Sequence, residues 1–380
     1  MESGKQIAVI GAGIVGIAAA LELQRRGHRV TLIDRKQPGR ETSYGNTGVL
    51  SDASIIISNN PGLLRRLPGF IFKQGNAVTY SLGFVLTHLP WLARFLARCN
   101  EAHMNHAADA LRAIQLLSLG IHKVLIEEAG AGHLLRPTGW LKLFRSEAGY
   151  DGYARERALL DRTGVRQTFY SAEELSQLEP ALRTPCYGAI LLDDCCSVSS
   201  PAALSDAYLG LFTDAGGTVR LAEAKRLAQE NSGKWHVTFT DGEALDADRL
   251  VIAAGPWSAE VAGWLGYRIP MAWERGYHLH LQPGAGPALR RAIHDVERGY
   301  VMTPQQQGVR VTSGVELTWR DAPKNDRQVR NAVAAARELT DLGDPVEHEP
   351  WMGRRPTLVD SLPMIGAAPR HDGLWFDFGH

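Results

Sequence analysis

The sequence is poor in cysteine, carries no net charge and contains no long apolar run. Its four cysteines (Cys99, Cys186, Cys195 and Cys196) form no Cys-x-x-Cys pair and no zinc-finger spacing, which argues against a disulfide framework and a structural zinc site. A reducing, cytoplasmic setting is therefore expected. Lys plus Arg and Asp plus Glu balance at 41 each, so bulk electrostatics favour neither nucleic acid nor an anionic membrane as partner. No stretch supplies the roughly 18–20 uninterrupted apolar residues of a membrane-spanning helix. The nearest approach, Leu82–Ala97, is broken by His88, Pro90 and Arg94. It reads as an amphipathic helix, buried or at the surface, and leaves a peripheral contact at the inner face of a membrane open. Met1–Gln6 is short and polar, so no leader is expected before the first strand. At 380 residues with 44% apolar and 22% charged composition, the chain suits a globular protein of two domains.

What is present begins at once. Ile7-Ala8-Val9-Ile10 is a short β-rich run that opens into Gly11-Ala12-Gly13-Ile14-Val15-Gly16. Ile17 to Arg26 then carries apolar residues at helical spacing, and Gly27 stands where the helix would end. Val30-Thr31-Leu32-Ile33 reads as a second strand, with Asp34 and Arg35 at its C-terminal end. In this order, Gly11 permits the tight turn, Gly13 lets the backbone approach a pyrophosphate, and Gly16 lets the helix pack closely on the sheet. The helix N-terminus offers free N–H groups to phosphate, and Asp34, about 20 residues on, can accept from ribose hydroxyls. The glycines alone imply a dinucleotide and do not distinguish FAD from NAD.

A second loop, Glu41-Thr42-Ser43-Tyr44-Gly45-Asn46-Thr47-Gly48, follows. Its small hydroxyl- and amide-bearing residues suit a backbone running against a ligand, although such stretches are also common as surface turns. Two later segments stand out: Val251-Ile252-Ala253-Ala254-Gly255-Pro256-Trp257-Ser258, and the block from Trp351-Met352-Gly353-Arg354-Arg355-Pro356 through Asp360 to Pro363-Met364-Ile365-Gly366. With the N-terminal unit, these four segments resemble, in order and spacing, the FAD-dependent D-amino-acid oxidase, D-amino-acid dehydrogenase and glycine oxidase family. The resemblance covers nearly the whole chain.

It implies an α/β fold: a Rossmann-like, GR2-type FAD-binding domain with an inserted mixed α+β substrate domain. The expected division gives residues 1–85, 190–260 and 350–380 to the FAD domain, and 86–189 and 261–349 to the substrate domain. FAD is the implied cofactor, held by Gly11, Ala12, Gly13, Ile14, Val15, Gly16, Asp34 and Arg35, and by Thr42, Ser43, Asn46, Thr47 and Gly48. Ala224 of the Ala222-Glu223-Ala224 loop, Ala254, Gly255, Trp257, Gly353, Arg355, Gly379 and His380 complete that set. Family members continue beyond the Phe376–His380 phrase with a glycine-rich loop and a closing helix, so continuation past His380 is expected.

Between these motifs, Arg65 to Gly130 reads as mostly helical and Gly139–Phe144 as a strand. Ser171–Glu179 reads as a helix with a capping box, and Tyr187–Leu192 as a strand. Pro201–Ala215 reads as a helix leading to the strand Thr218–Leu221, and Trp235–Asp248 as a hairpin.

The resemblance implies oxidation of an amine beside a carboxylate: a hydride equivalent leaves the α-carbon for flavin N5, and the imine hydrolyses to an oxo acid. Substrates would be a D-amino acid or an N-substituted glycine such as sarcosine or iminodiacetate, with oxygen or a quinone taking the electrons. Arg355 is the candidate fork for the substrate carboxylate, against the alternative of a surface ion pair. Tyr277 is a candidate second contact to that carboxylate, against the alternative of a core tyrosine with a satisfied hydroxyl. His278 and His280 share one strand face, but no third ligand accompanies them, so no metal is expected. His103 and His106 read as exposed. A hydroxy-acid oxidoreductase, a non-catalytic flavin-binding subunit of a larger complex, and a homo-oligomer remain open as alternatives or assemblies.

Overall fold

The computed structural model describes residues 4–71 and 78–380. Met1–Ser3 of the polar N-terminus, and 72–77 of the stretch expected as helical, lie outside the described residues.

The β-rich runs of the N-terminal unit form the centre of a six-stranded sheet. Its order is Thr218–Leu221, Arg29–Asp34, Gln6–Ile10, Arg249–Ile252, Leu374–Phe378 and Met364–Ala367. The first five strands run parallel and the last is antiparallel. Helix Ile14–Arg25 lies against this sheet beside helix Pro201–Asp214, burying Ile17, Leu21, Tyr208 and Phe212 between them. The right-handed βαβ crossover brings the glycine turn and Asp34 to the same carboxyl edge of the sheet, where α/β folds bind ligands.

A larger sheet carries the other strands. In order these are Val78–Tyr80, Val315–Leu317, Met271–Pro283, Gly308–Thr312, Tyr300–Gln305, Ala292–Asp295, Trp140–Phe144, Gly188–Leu192 and Gln167–Ser171. Leu342–Pro345 and Trp351–Leu358 also pair with the long strand 271–283. The strands 78–80 and 351–358 thus belong to this sheet, although the sequence division placed them with the nucleotide domain, and that division falls inside the strand 188–192. The Arg355 strand is an antiparallel partner of the Tyr277 strand over eight residue pairs, from Met271↔Leu358 to His278↔Trp351. Sequence distance hides such a pairing.

Alternation gives this sheet two unlike faces. Tyr277, Leu279, Leu281, Val309, Val311, Met302, Ile293 and Leu141 pack against helix Arg327–Leu339 in one apolar core. Their neighbours face the other way and are polar: Glu274, His278, His280, Arg310, Thr312, Thr303, His294 and Lys142.

The helix expected over Leu82–Ala97 is two helices, Leu82–Thr87 and Leu89–Ala97, divided at His88 ahead of Pro90. Phe84, Trp91 and Phe95 are buried, whereas Leu82, Leu86 and Leu89 are exposed. Among the described residues no helix is long and apolar enough to cross a membrane. The capping box at Ser171 and Glu174 forms as expected. His103, expected at the surface, is half-buried, with Nε2 2.9 Å from the Asp360 carbonyl. The four cysteines are free and buried.

Candidate active site

A cavity of about 320 Å3 opens at the carboxyl edge of the parallel sheet. Its floor is the glycine turn. Gly11 has φ +107°, and a Cβ there would meet the Ala253 carbonyl oxygen at 2.4 Å. At Gly16, a Cβ would fall 1.8 Å from the Gly11 carbonyl oxygen, so that residue serves the turn as well as helix packing. Gly13, Ile14 and Val15 line the cavity; Ala12 and Gly16 lie behind it. The first turn of helix 14–25 contains no acidic residue, which leaves its positive end free for an anion.

Asp34 lines the cavity, accepting from the Ala12 N–H at 2.7 Å and the Lys36 N–H at 3.0 Å. The acid therefore clamps the turn and still offers lone pairs to a ribose. Arg35 packs over the Trp257 ring, 4.4 Å from its centroid, and pairs with Glu223 at 3.7 Å. Ala224, Ala254, Gly255 and Trp257 form the far wall.

The second loop closes the cavity from the side. Ser43 Oγ accepts from the Ile14 N–H at 2.9 Å, and Thr42 Oγ1 donates to the Arg354 carbonyl at 2.8 Å. Asn46 folds the loop on itself: its side chain donates to the Ser43 carbonyl and accepts from the Gly48 N–H. Thr42, Ser43 and Asn46 line the cavity, whereas Thr47 and Gly48 stand outside it. The Thr47 carbonyl is held by Gln305, and Gly48 lies beside Gln305 and Val198. Gly379 and His380 complete the opening with Asp377, whose carboxyl is pushed up to about 6 by burial.

The cavity fits FAD on its own evidence: a glycine turn against a helix N-terminus, an acid at the second strand, and a loop of hydroxyls facing the same space. Bound flavin supplies a two-electron acceptor there.

Arg355 and Gly353 lie off this cavity, on the polar face of the large sheet. Gly353 is covered by the Trp351 indole, which stacks on His278 at 4.9 Å between centroids. Arg355 is half-buried and extends across Gly276, where a Cβ would meet its Nη2 at 2.6 Å. Its one hydrogen bond among the described residues is long, 3.5 Å from Nη1 to the Gly314 carbonyl. Burial lowers its pKa, and the neighbouring Glu274 opposes that shift. Burial in turn raises the Glu274 carboxyl.

Tyr277 is placed elsewhere. It is 1% exposed on the opposite, apolar face, and its hydroxyl donates to Glu316 at 2.6 Å while accepting from the Asn325 N–H and from Arg275. Strand alternation puts it one residue out of phase with the site, so it is the core tyrosine with a satisfied hydroxyl. His278 and His280 share the polar face, 5.0 Å between centroids. His280 Nε2 accepts from Arg310 at 3.0 Å and its Nδ1 contacts Glu347, so that imidazole is neutral and occupied. Burial, then Arg310 and His280, push the His278 pKa far down, and its Nε2 has no partner.

Arg310 is a residue the motif reading missed. Its guanidinium donates to the Tyr44 and Asn46 carbonyls at 2.9 and 2.6 Å, tying the second loop to the large sheet. Its signal in the sequence is only one arginine in an alternating strand.

The profile of the family described as FAD dependent oxidoreductase (DAO) matches residues 6–380. The chain belongs to this family and is an FAD-dependent oxidoreductase. It is 31% identical to a D-amino-acid oxidase of Bradyrhizobium diazoefficiens over 100% of this chain and 91% of that protein. It is 28% identical to D-amino acid dehydrogenase 2 of Ralstonia nicotianae, over 99% and 92%. Glycine oxidase from Geobacillus kaustophilus shares the fold at TM-score 0.71 and 21% identity, covering 99% of this chain and 90% of that one. Iminodiacetate oxidase from Chelativorans sp. BNC1 does so at 0.69 and 21%, covering 98% and 89%. The relatives indicate amino-acid oxidase or dehydrogenase activity.

Proposed function

We propose that the protein oxidatively deaminates a D-amino acid or an N-substituted glycine, with Arg355 as the carboxylate clamp. The observation that carries this reading is the Arg355 guanidinium, which lies across Gly276 and makes a single long hydrogen bond among the described residues. A buried cation in this state is stabilised by an incoming carboxylate, and its planar fork fixes the orientation of the α-carbon. His278, held neutral with its Nδ1 donating to the Gly45 carbonyl at 3.3 Å, lies on the same sheet face and leaves Nε2 to accept one hydrogen bond. The amine must be neutral so that its lone pair can form the imine as the hydride leaves the α-carbon; no carboxylate of the chain is needed as base.

Anaerobic reduction of the bound flavin tests the reading. D-Amino acids or secondary amines such as sarcosine should bleach the flavin, and 2-hydroxy acids should not. Bleaching by hydroxy acids alone would replace this reading with the hydroxy-acid one. Either oxygen or a quinone then takes the electrons. The exposed Leu82, Leu86 and Leu89 support a peripheral membrane contact for the same enzyme, checked by co-sedimentation with anionic vesicles.

A further inference from the structure

Among the described residues, the polar face of the large sheet holds several buried groups without partners: His278 Nε2, Thr312 Oγ1, Thr303 Oγ1 and Trp140 Nε1. Native interiors rarely leave so many together, and a ligand-facing surface explains them. One row across this face follows from the strand register: His278, Thr312, Val301, His294 and Lys142 are successive cross-strand neighbours. Val301 and His294 are half-buried, whereas His278, Thr312 and Lys142 are buried.

Lys142, at the end of the row, is 6% exposed. Its Nζ sits 3.1 Å from the centroid of the Trp140 ring and 3.2 Å from His294 Nδ1. Among the described residues it has no ion pair with a carboxylate within 4.0 Å. Burial lowers its pKa to about 7, and burial followed by Lys142 lowers that of His294. A lysine ordinarily escapes such a position by reaching water or an acid, and this one does neither.

We infer that Lys142, caged by Trp140 and His294, is a subsite for a second anionic group on the substrate, which selects dicarboxylic amino acids. This rests on the reading of Arg355 as the α-carboxylate clamp. Arg355 reaches inward to Gly314, at the end of the Thr312 strand, and Lys142 leans inward to His294. Strand spacing then leaves roughly 10 Å between the two cationic heads. A glutamate-length dicarboxylate with a charge-assisted contact at each end spans that gap. A carboxylate at that distance favours the protonated lysine, which a shorter, uncharged side chain cannot do.

The holoenzyme is tested with D-glutamate against D-glutamine, equal in size and different in charge, and by calorimetric binding of glutarate against butyrate. The wild type is expected to favour D-glutamate over D-glutamine in kcat/KM, and glutarate over butyrate in affinity, each by at least about tenfold. Lys142→Met should bring both ratios close to unity, with Lys142→Arg retaining most of them. If amino acids reduce the flavin but neither ratio exceeds unity in the wild type, Lys142 merely fills the core and the inference is overturned. Ratios that survive Lys142→Met overturn it equally. If no amino acid reduces the flavin, the proposed function fails, and the glutarate comparison still decides whether the anion subsite exists.

Discussion

The glycine turn and the polar face of the large sheet, which the proposed function joins in one site, are built in opposite ways. The turn is made of backbone, from residues close in sequence, and its polar groups are paired: Asp34 holds the Ala12 N–H and Ser43 holds the Ile14 N–H. The sheet face is made of side chains from strands far apart in sequence, and it leaves His278 Nε2 and the Thr303 and Thr312 hydroxyls unpaired. The first is finished before its ligand arrives. The second keeps polar atoms without protein partners, so under the proposed function its variants should act on binding and rate more than on folding.

The largest expected effect lies in the turn. In Gly16→Ala the new Cβ falls 1.8 Å from the Gly11 carbonyl oxygen, a backbone atom fixed by its own turn. Loss of roughly 4 kcal/mol or more is expected, seen as protein recovered without flavin or with a sharply lowered Tm. Next comes Arg355→Leu, expected to cost about 3 kcal/mol of transition-state binding, a fall of roughly 100-fold in kcat/KM. Its Tm should stay near the wild-type value, which is the contrast with the turn.

Lys142 sharpens the same contrast through pH. Its pKa is lowered to about 7 in the folded protein, against an ordinary value of 10.5. Between those values the unfolded chain binds the extra proton, so this group makes stability rise with pH across the window. Chemical denaturation of wild type and Lys142→Met from pH 7 to 9 should show the wild type gaining about 1 kcal/mol per pH unit relative to the variant. The smallest effect is expected for Glu347→Gln. It weakens the Glu347–His280–Arg310 chain that holds the Tyr44 and Asn46 carbonyls. A loss of about 1 kcal/mol in flavin affinity, read by fluorescence titration, would fit that role.

The same contrast explains what could be read from sequence. Gly11, Gly13, Gly16 and Asp34 announce their roles because a phosphate turn needs fixed spacings within one βαβ unit. The capping box at Ser171 and Glu174 was legible for the same local reason. Tyr277 and Arg355 are 78 positions apart, and only the antiparallel register of their strands shows that alternation sends them to opposite faces. The two-carboxylate reading of the pocket needed Lys142 brought beside His294, 152 positions away. The expected division grouped 78–80 and 351–358 apart from their sheet and cut the strand 188–192, because a strand's own residues do not say which sheet it joins.

The proposed reaction depends on Arg355 meeting the substrate carboxylate. The direct measurement is the anaerobic rate of flavin reduction by a D-amino acid against its own C-terminal amide, in wild type and Arg355→Leu. Wild type should prefer the acid by roughly 100-fold, and the variant should lose nearly all of that preference. A variant that keeps the wild-type preference would contradict the account, because the carboxylate would then be held somewhere else.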